Sequence, residues 1–209
     1  MSGYLRDPEA ITRLSFERVR AEAELDGLPA EMASVAVRMI HACGMTDVIA
    51  QLAHSAGAAS AGRRALKRGA AVICDGEMTR AGINISCLPA RNRVICTIAA
   101  PGLRRLARAA ATTRSAAAVD LWQPDLDGAV VAIGAAPTAL FRLLELLDEG
   151  APAPALVVAM PVGFVGAAES KDALIACGGA PPYIAVRGRR GGSALAAAVV
   201  NALAAGDRT

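Results

Sequence analysis

The stretch GAVVAIGAAPTALF, residues 128–141, decides how the chain folds. Its first half is a continuous apolar run, as a strand reads when both faces of its sheet are covered. Gly134 breaks the run, and Pro137 sits in the turn that leads into a helix predicted over 139–149. Strand, short turn and helix make the repeating unit of an α/β protein.

The unit recurs on both sides. AAVIC at 70–74 and RVICTI at 93–98 come before it, and ALVVAM at 155–160 and YIAVRG at 183–188 come after. Helical stretches over 103–111, 116–122, 167–176 and 194–205 separate or follow these runs. The pattern predicts one doubly wound, mostly parallel sheet of about five strands flanked by helices. Extra helices precede it. Asp7-Pro8 reads as an N-cap with proline at the first helical position, opening a helix that runs to about 25–27. A second helix is predicted over 29–43 and further helical pieces over 47–53 and 58–68, with His54 in a loop between them. No linker, repeat or low-complexity tract divides the chain, so residues 1–209 are expected to form one domain.

Composition narrows the function classes. Aromatic residues are only 3% of a chain that is 54% apolar, so the core must be built from Ala, Val, Leu and Ile. The longest uncharged apolar run, 151–168, is interrupted by Pro152, Pro154, Pro161, Gly163 and Gly166, which argues against a membrane span. No apolar run follows a basic segment at the start, so no signal peptide is expected and the location is read as cytoplasmic. The five cysteines, without CxxC pairs or a nearby histidine cluster, then read as reduced thiols and not as a metal site. A net charge of +3 with no basic stripe leaves no nucleic-acid footprint. Neither GxxxxGK[ST] nor a post-strand GxGxxG occurs, so no nucleotide cofactor is expected.

Ligands of such folds sit where strand-to-helix turns collect. Here those turns are GAAPT at 134–138, PVGFVG at 161–166 and RGRRGGS at 187–193, rich in glycine and arginine as an anion-binding edge would be. Thr138 and Ser193 read by default as helix caps, and Arg114 falls at a capped helix start behind Thr112-Thr113. The Glu169-Ser170-Lys171 triplet resembles a charged helix start as much as a site. AVRMIHACGMTD, residues 36–47, is the other informative segment. Met32, Val35, Ala36, Met39, Ile40 and Cys43 form a buried stripe, and Ser34, Arg38 and His41 a neighbouring one, before Gly44 ends the helix. Two readings of His41 stand on spacing alone. It can satisfy the last helical carbonyls, or it can act with Arg38 on an anionic ligand that exchanges a proton.

Taken in order, YLRDPEAI, SFERVRAEAEL, VRMIHACG, ICDGEM with AGI, VICTI, TRSAAA, VVAIG with APTALF, MPVGFVGAAESKDAL, and VRGRRGGSALAAA with NAL resemble the precorrin-8X methylmutase family of cobalamin biosynthesis over nearly the full length. The resemblance implies an isomerase that moves a methyl group from carbon 11 to carbon 12 of precorrin-8X to give hydrogenobyrinate, using no cofactor or metal. It implies His41 as proton donor or acceptor, Ser15, Arg38, Asn84, Arg114 and Thr138 as substrate contacts, and a homodimer with the site near the subunit interface. The wording is closer to enzymes acting on a metal-free substrate. Two positions depart from the family pattern. Ala135 stands where the GNAPTA turn has Asn, and Asn84 stands where Thr follows AGI. These departures carry the alternative of a catalytically weakened tetrapyrrole-binding or carrier protein.

Overall fold

The computed structural model describes residues 4–206. Its elements run α1 (Pro8–Glu22), α2 (Ala30–Cys43), β1 (Leu52–His54), α3 (Ala58–Lys67), β2 (Val72–Cys74), α4 (Glu77–Gly82), β3 (Val94–Cys96), α5 (Leu103–Ala109) and α6 (Arg114–Val119). They continue with α7 (Gln123–Leu126), β4 (Val130–Ile133), α8 (Pro137–Asp148), β5 (Leu156–Ala159), α9 (Ala167–Ala176), β6 (Tyr183–Val186) and α10 (Ser193–Ala205). One sheet joins the strands in the order β1-β6-β5-β4-β2-β3. All neighbours are parallel except β1 against β6.

The sheet therefore has six strands where five were expected, and the helical piece read over 47–53 extends only to Gln51. A 3₁₀ turn over Thr46–Gln51 leads into β1, which pairs in the register Leu52↔Val186, Ala53↔Ala185, His54↔Ile184. His54 thus lies in a strand and not in a loop. Three residues carry no periodicity that could announce a strand, and only the free edge of β6 makes them one. The first helix also stops at Glu22, short of 25–27, with the Ala23 N–H bonded to the Val19 carbonyl.

Alternation along the strands sorts the core into two layers. Val72, Cys74, Val130, Ala132, Leu156 and Val158 pack with α2, α3 and α10. Ile73, Val131, Ile133, Val157 and Ala159 pack with α8 and with Trp122 and Leu126. This two-sided burial explains why β2, β4 and β5 are made only of Val, Ile, Leu, Ala and Cys74. Alanines then let the helices approach closely. In α10, Ala196, Ala197, Ala202 and Ala204 are all buried against the first layer. Gly62 of α3 lies so near the sheet that a Cβ there would stand 2.6 Å from the Leu156 side chain. Helix ends follow their local signals. Asp7 accepts from the Glu9 N–H, Thr113 accepts from the Ala116 N–H, and Gly44 closes α2 at φ 70°. Among the described residues, no helix is long and apolar enough to cross a membrane.

Candidate active site

Two turns at the carboxyl edge of the sheet are held by buried charges. Asp75 follows β2 and is 3% exposed. Its Oδ1 accepts from the Gly134 N–H at 3.0 Å, and its Oδ2 accepts from the Ala135 and Ala136 N–H groups, both at 2.8 Å. One carboxylate thus satisfies the backbone donors of the β4–α8 turn, leaving Pro137, which has no N–H, to begin the helix. Thr79 Oγ1 stands 3.2 Å from Asp75 Oδ1 and 3.1 Å from Ser193 Oγ, tying this turn to the start of α10. Gly134 has to be glycine, since a Cβ there would stand 2.6 Å from the Ser193 backbone.

Lys171 holds the other pair of turns. Its side chain is fully buried inside α9, and Nζ donates to the Pro161 carbonyl at 3.0 Å and the Arg190 carbonyl at 2.7 Å. Burial pushes its pKa down to about 8. The PVGFVG and RGRRGGS turns are further joined by Gly192 N–H to the Met160 carbonyl and Gly163 N–H to the Arg189 carbonyl. Lys171 is therefore an internal tie, and not part of a solvated charged helix start.

The helix α1 packs across α2, and this packing builds the His41 cleft. Ser15 Oγ lies 2.7 Å from His41 Nδ1, although the residues are 26 positions apart. The buried Phe16 ring meets the imidazole edge-on, with centroids 5.2 Å apart. His41 itself is exposed, and its Nδ1 is engaged by the Ser15 hydroxyl and not by a helical carbonyl. A cavity of about 380 Å³ on one side is lined by Ser15, His41 and the apolar Leu5, Ile11 and Leu14. A second, of about 260 Å³, is walled by Arg38, His41, Gly82, Asn201 and α10 alanines, including Ala194 and Ala197. Gly82 lets α4 close against α10 there, since a Cβ would stand 2.7 Å from Ala197 Cβ.

Arg38 is half-buried, its guanidinium carbon 5.3 Å from the Phe16 centroid. Burial lowers its pKa, with the neighbouring Cys87 raising it in part. Its Nε is buried with no hydrogen-bond partner, an omission that costs about 1–3 kcal/mol. Asn84 is exposed and reaches this group only indirectly. Its N–H donates to Asn201 Oδ1 at 2.8 Å, and its own side chain accepts from the Ser86 hydroxyl.

Arg114 and Thr138 lie in a separate group. Thr138 and Thr113 hydroxyls are 2.8 Å apart, and Arg114 donates to the Ile98 carbonyl at 2.8 Å. Among the described residues, no hydrogen bond joins these two side chains to His41, Ser15 or Arg38. Sequence reasoning missed the roles of Thr79, Lys171, Phe16 and Asn201. Lys171 stands in α9 between Ser170 and Asp172, two residues after Glu169, so no signal in the sequence sets it apart from a solvated helix lysine. Burial raises the thiol pKa of Cys74 and that of Cys96, the latter to about 11, so neither is a ready nucleophile. Among the described residues, no group of three or more His, Cys, Asp or Glu side chains could hold a metal ion.

Comparison with known proteins gives one consistent result. A family model described as precorrin-8X methylmutase matches residues 10–205. A relative from Pseudomonas aeruginosa, named precorrin-8X methylmutase, is 57% identical, covering 98% of both chains. One from Methanothermobacter thermautotrophicus, named cobalt-precorrin-8 methylmutase, is 38% identical over 93% of this chain and 91% of its own. A crystal structure of precorrin-8X methylmutase from Thermus thermophilus superposes with a TM-score of 0.85 at 41% identity, covering 94% of each chain.

Proposed function

Because the chain belongs to the precorrin-8X methylmutase family, we propose that it is an isomerase of cobalamin biosynthesis that moves a methyl group from carbon 11 to carbon 12 of precorrin-8X, giving hydrogenobyrinate, with His41 moving the proton on the macrocycle. The observation that carries the role of His41 is the 2.7 Å contact between Ser15 Oγ and His41 Nδ1. It fixes the imidazole and leaves Nε2 as the nitrogen that can meet substrate. A hydroxyl can donate to Nδ1 or accept from it, so Ser15 suits both states of a histidine that gives and takes a proton. Protonating one atom of the ring biases which resonance form is present, and hence where the methyl group can bond.

The surroundings fit a flat, apolar ring edged with carboxylates. Alanines of α10 and Gly82 offer a smooth wall, and Arg38 offers a guanidinium with an unmet donor. Asn84 supports that wall through Asn201. The separation of Arg114 and Thr138 from His41 supports a homodimer, in which one chain's cluster completes the other's cleft near a two-fold axis. The exposed Leu5, Ile11 and Leu14 beside His41 are suited to such cover. We read the whole chain as one domain acting in the cytoplasm, and the substrate as metal-free. The latter rests on 57% identity to a precorrin-8X enzyme against 38% to a cobalt-precorrin-8 enzyme.

The test is conversion of precorrin-8X by purified protein, followed by the appearance of orange hydrogenobyrinate. His41→Ala should abolish conversion with the melting temperature unchanged. Full activity in that variant would remove His41 from the mechanism. The second reading, a carrier weakened in catalysis, is favoured only by Ala135 and Asn84. Ala135 contributes just its N–H to Asp75, and the Asn84 side chain is engaged with Ser86. A carrier would bind hydrogenobyrinate tightly in the same assay and show no turnover.

A further inference from the structure

Beyond Phe16 lies a further cavity of about 590 Å³. Arg13, Phe16, Arg20 and Arg38 line it, with Glu9 and Glu17 at its wall. Arg13 and Arg20 are seven positions apart on α1, two turns of one helix face, and Phe16 sits between them. The guanidinium carbons of Arg20 and Arg38 stand 6.0 Å and 5.3 Å from the Phe16 centroid. Two cations are thus gathered on one ring, and among the described residues none of the three arginines forms an ion pair. Arg38 lines this cavity and the His41 cavity alike, and its buried Nε lacks an acceptor.

We propose that this cavity is a carboxylate subsite, in which Arg20 and Arg13 hold a side-arm carboxylate of the tetrapyrrole while Phe16 separates that arm from His41. Three guanidinium groups against Glu9 and Glu17 leave one net positive charge, which a single carboxylate balances. A guanidinium presents paired donors that match the two oxygens of a carboxylate, so one arginine can hold the arm bidentately. Seated there, the arm would fix the rotation of the ring over His41. Arg20 is exposed on α1, so replacing it leaves the core intact. The proposal rests on the methylmutase reading above.

The experiment titrates hydrogenobyrinate, and its counterpart with amidated side arms, into wild type, Arg20→Gln and the Arg13→Gln/Arg20→Gln pair. Melting temperatures serve as the fold control. Loss of one charge-assisted pair should weaken hydrogenobyrinate roughly 10- to 100-fold, with much less change for the amidated ligand. KM for precorrin-8X should rise, and kcat should fall as the ring is no longer held in one rotation over His41. Arg20→Lys should recover part of the loss. Equal hydrogenobyrinate affinity in wild type and both Gln variants would overturn the subsite while leaving the methylmutase reading intact. Failure of wild type to bind hydrogenobyrinate at all would overturn both.

Discussion

At the carboxyl edge of the sheet both oxygens of the buried Asp75 carboxylate accept N–H groups, whereas between α1 and α2 the buried Arg38 Nε has nothing to donate to. Lys171 repeats the first pattern, with two carbonyls for its buried ammonium. His41 repeats the second, with one ring nitrogen held by Ser15 and the other open. Polar groups that support turns are closed off from solvent and satisfied. Those in the cleft keep hydrogen-bonding capacity in reserve. The difference teaches where to look for chemistry: a satisfied buried charge belongs to the scaffold, and an unsatisfied one marks where a ligand completes the structure.

Removing a scaffold charge should therefore harm stability first, and removing a cleft group should harm activity first. Asp75→Ala should have the largest effect, since it strands three backbone N–H groups. A loss of about 3–5 kcal/mol is expected in urea denaturation, with Asp75→Asn losing less because one acceptor oxygen remains. A loss below about 1 kcal/mol in the Ala variant would break the comparison at its strongest point.

Lys171 predicts a pH effect. It titrates near 8 in the folded chain, against 10.5 for an ordinary lysine, so between those values the unfolded chain binds more protons. Stability from this group should rise with pH across that window, by on the order of 2 kcal/mol, with the full penalty of the buried charge present below it. Thermal melts of wild type and Lys171→Met from pH 7 to 10.5 would check this. The difference between the two should narrow or reverse in favour of wild type as pH rises, and a constant difference would refute it.

Gly82→Ala lies at the boundary of the two regions. Its Cβ would stand 2.7 Å from Ala197 Cβ, so α4 must shift from α10 at a cost of about 1–3 kcal/mol. The His41 cavity should change shape, and KM should rise along with the stability loss. Ser15→Ala should have the smallest effect on stability, under about 1 kcal/mol by chemical denaturation, because its hydrogen bond is at the surface. Its kcat should nevertheless fall by roughly ten-fold, the scale of losing an oriented proton-transfer group. Unchanged kcat would detach Ser15 from the proton-handling role of His41.

Much of the fold could be read from sequence because β2, β4, β5 and most of β6 are buried on both faces and so, with the half-buried β3, appear as apolar runs. The sixth could not, since Leu52–His54 becomes a strand only through the backbone of β6. Helix caps at Asp7, Thr113 and Gly44 were legible for the opposite reason, being local. The candidate site was legible in part. Arg38 and His41 share a helical stripe, and spacing alone places them on one side of α2. Ser15 and Phe16 come from another helix, and no spacing rule links them to His41. The place of Lys171 stayed open in the sequence because a charge near a helix start is ordinarily solvated, and only the packing of α9 shows that it is buried.

By itself the sequence determined five of the strands, the order of the helices, the caps at Asp7, Thr113 and Gly44, and the family to which the ordered motifs belong. These depend on neighbours within a few residues or on patterns that persist along the chain. Only the tertiary structure decided which distant groups touch: Ser15 with His41, Asp75 with the β4–α8 turn, Lys171 with two loops, and Arg20 with Arg38 over one ring. The physical reason is range. Periodicity and capping act along the chain, whereas hydrogen bonds and charge contacts act across space, and packing sets which groups come within their reach.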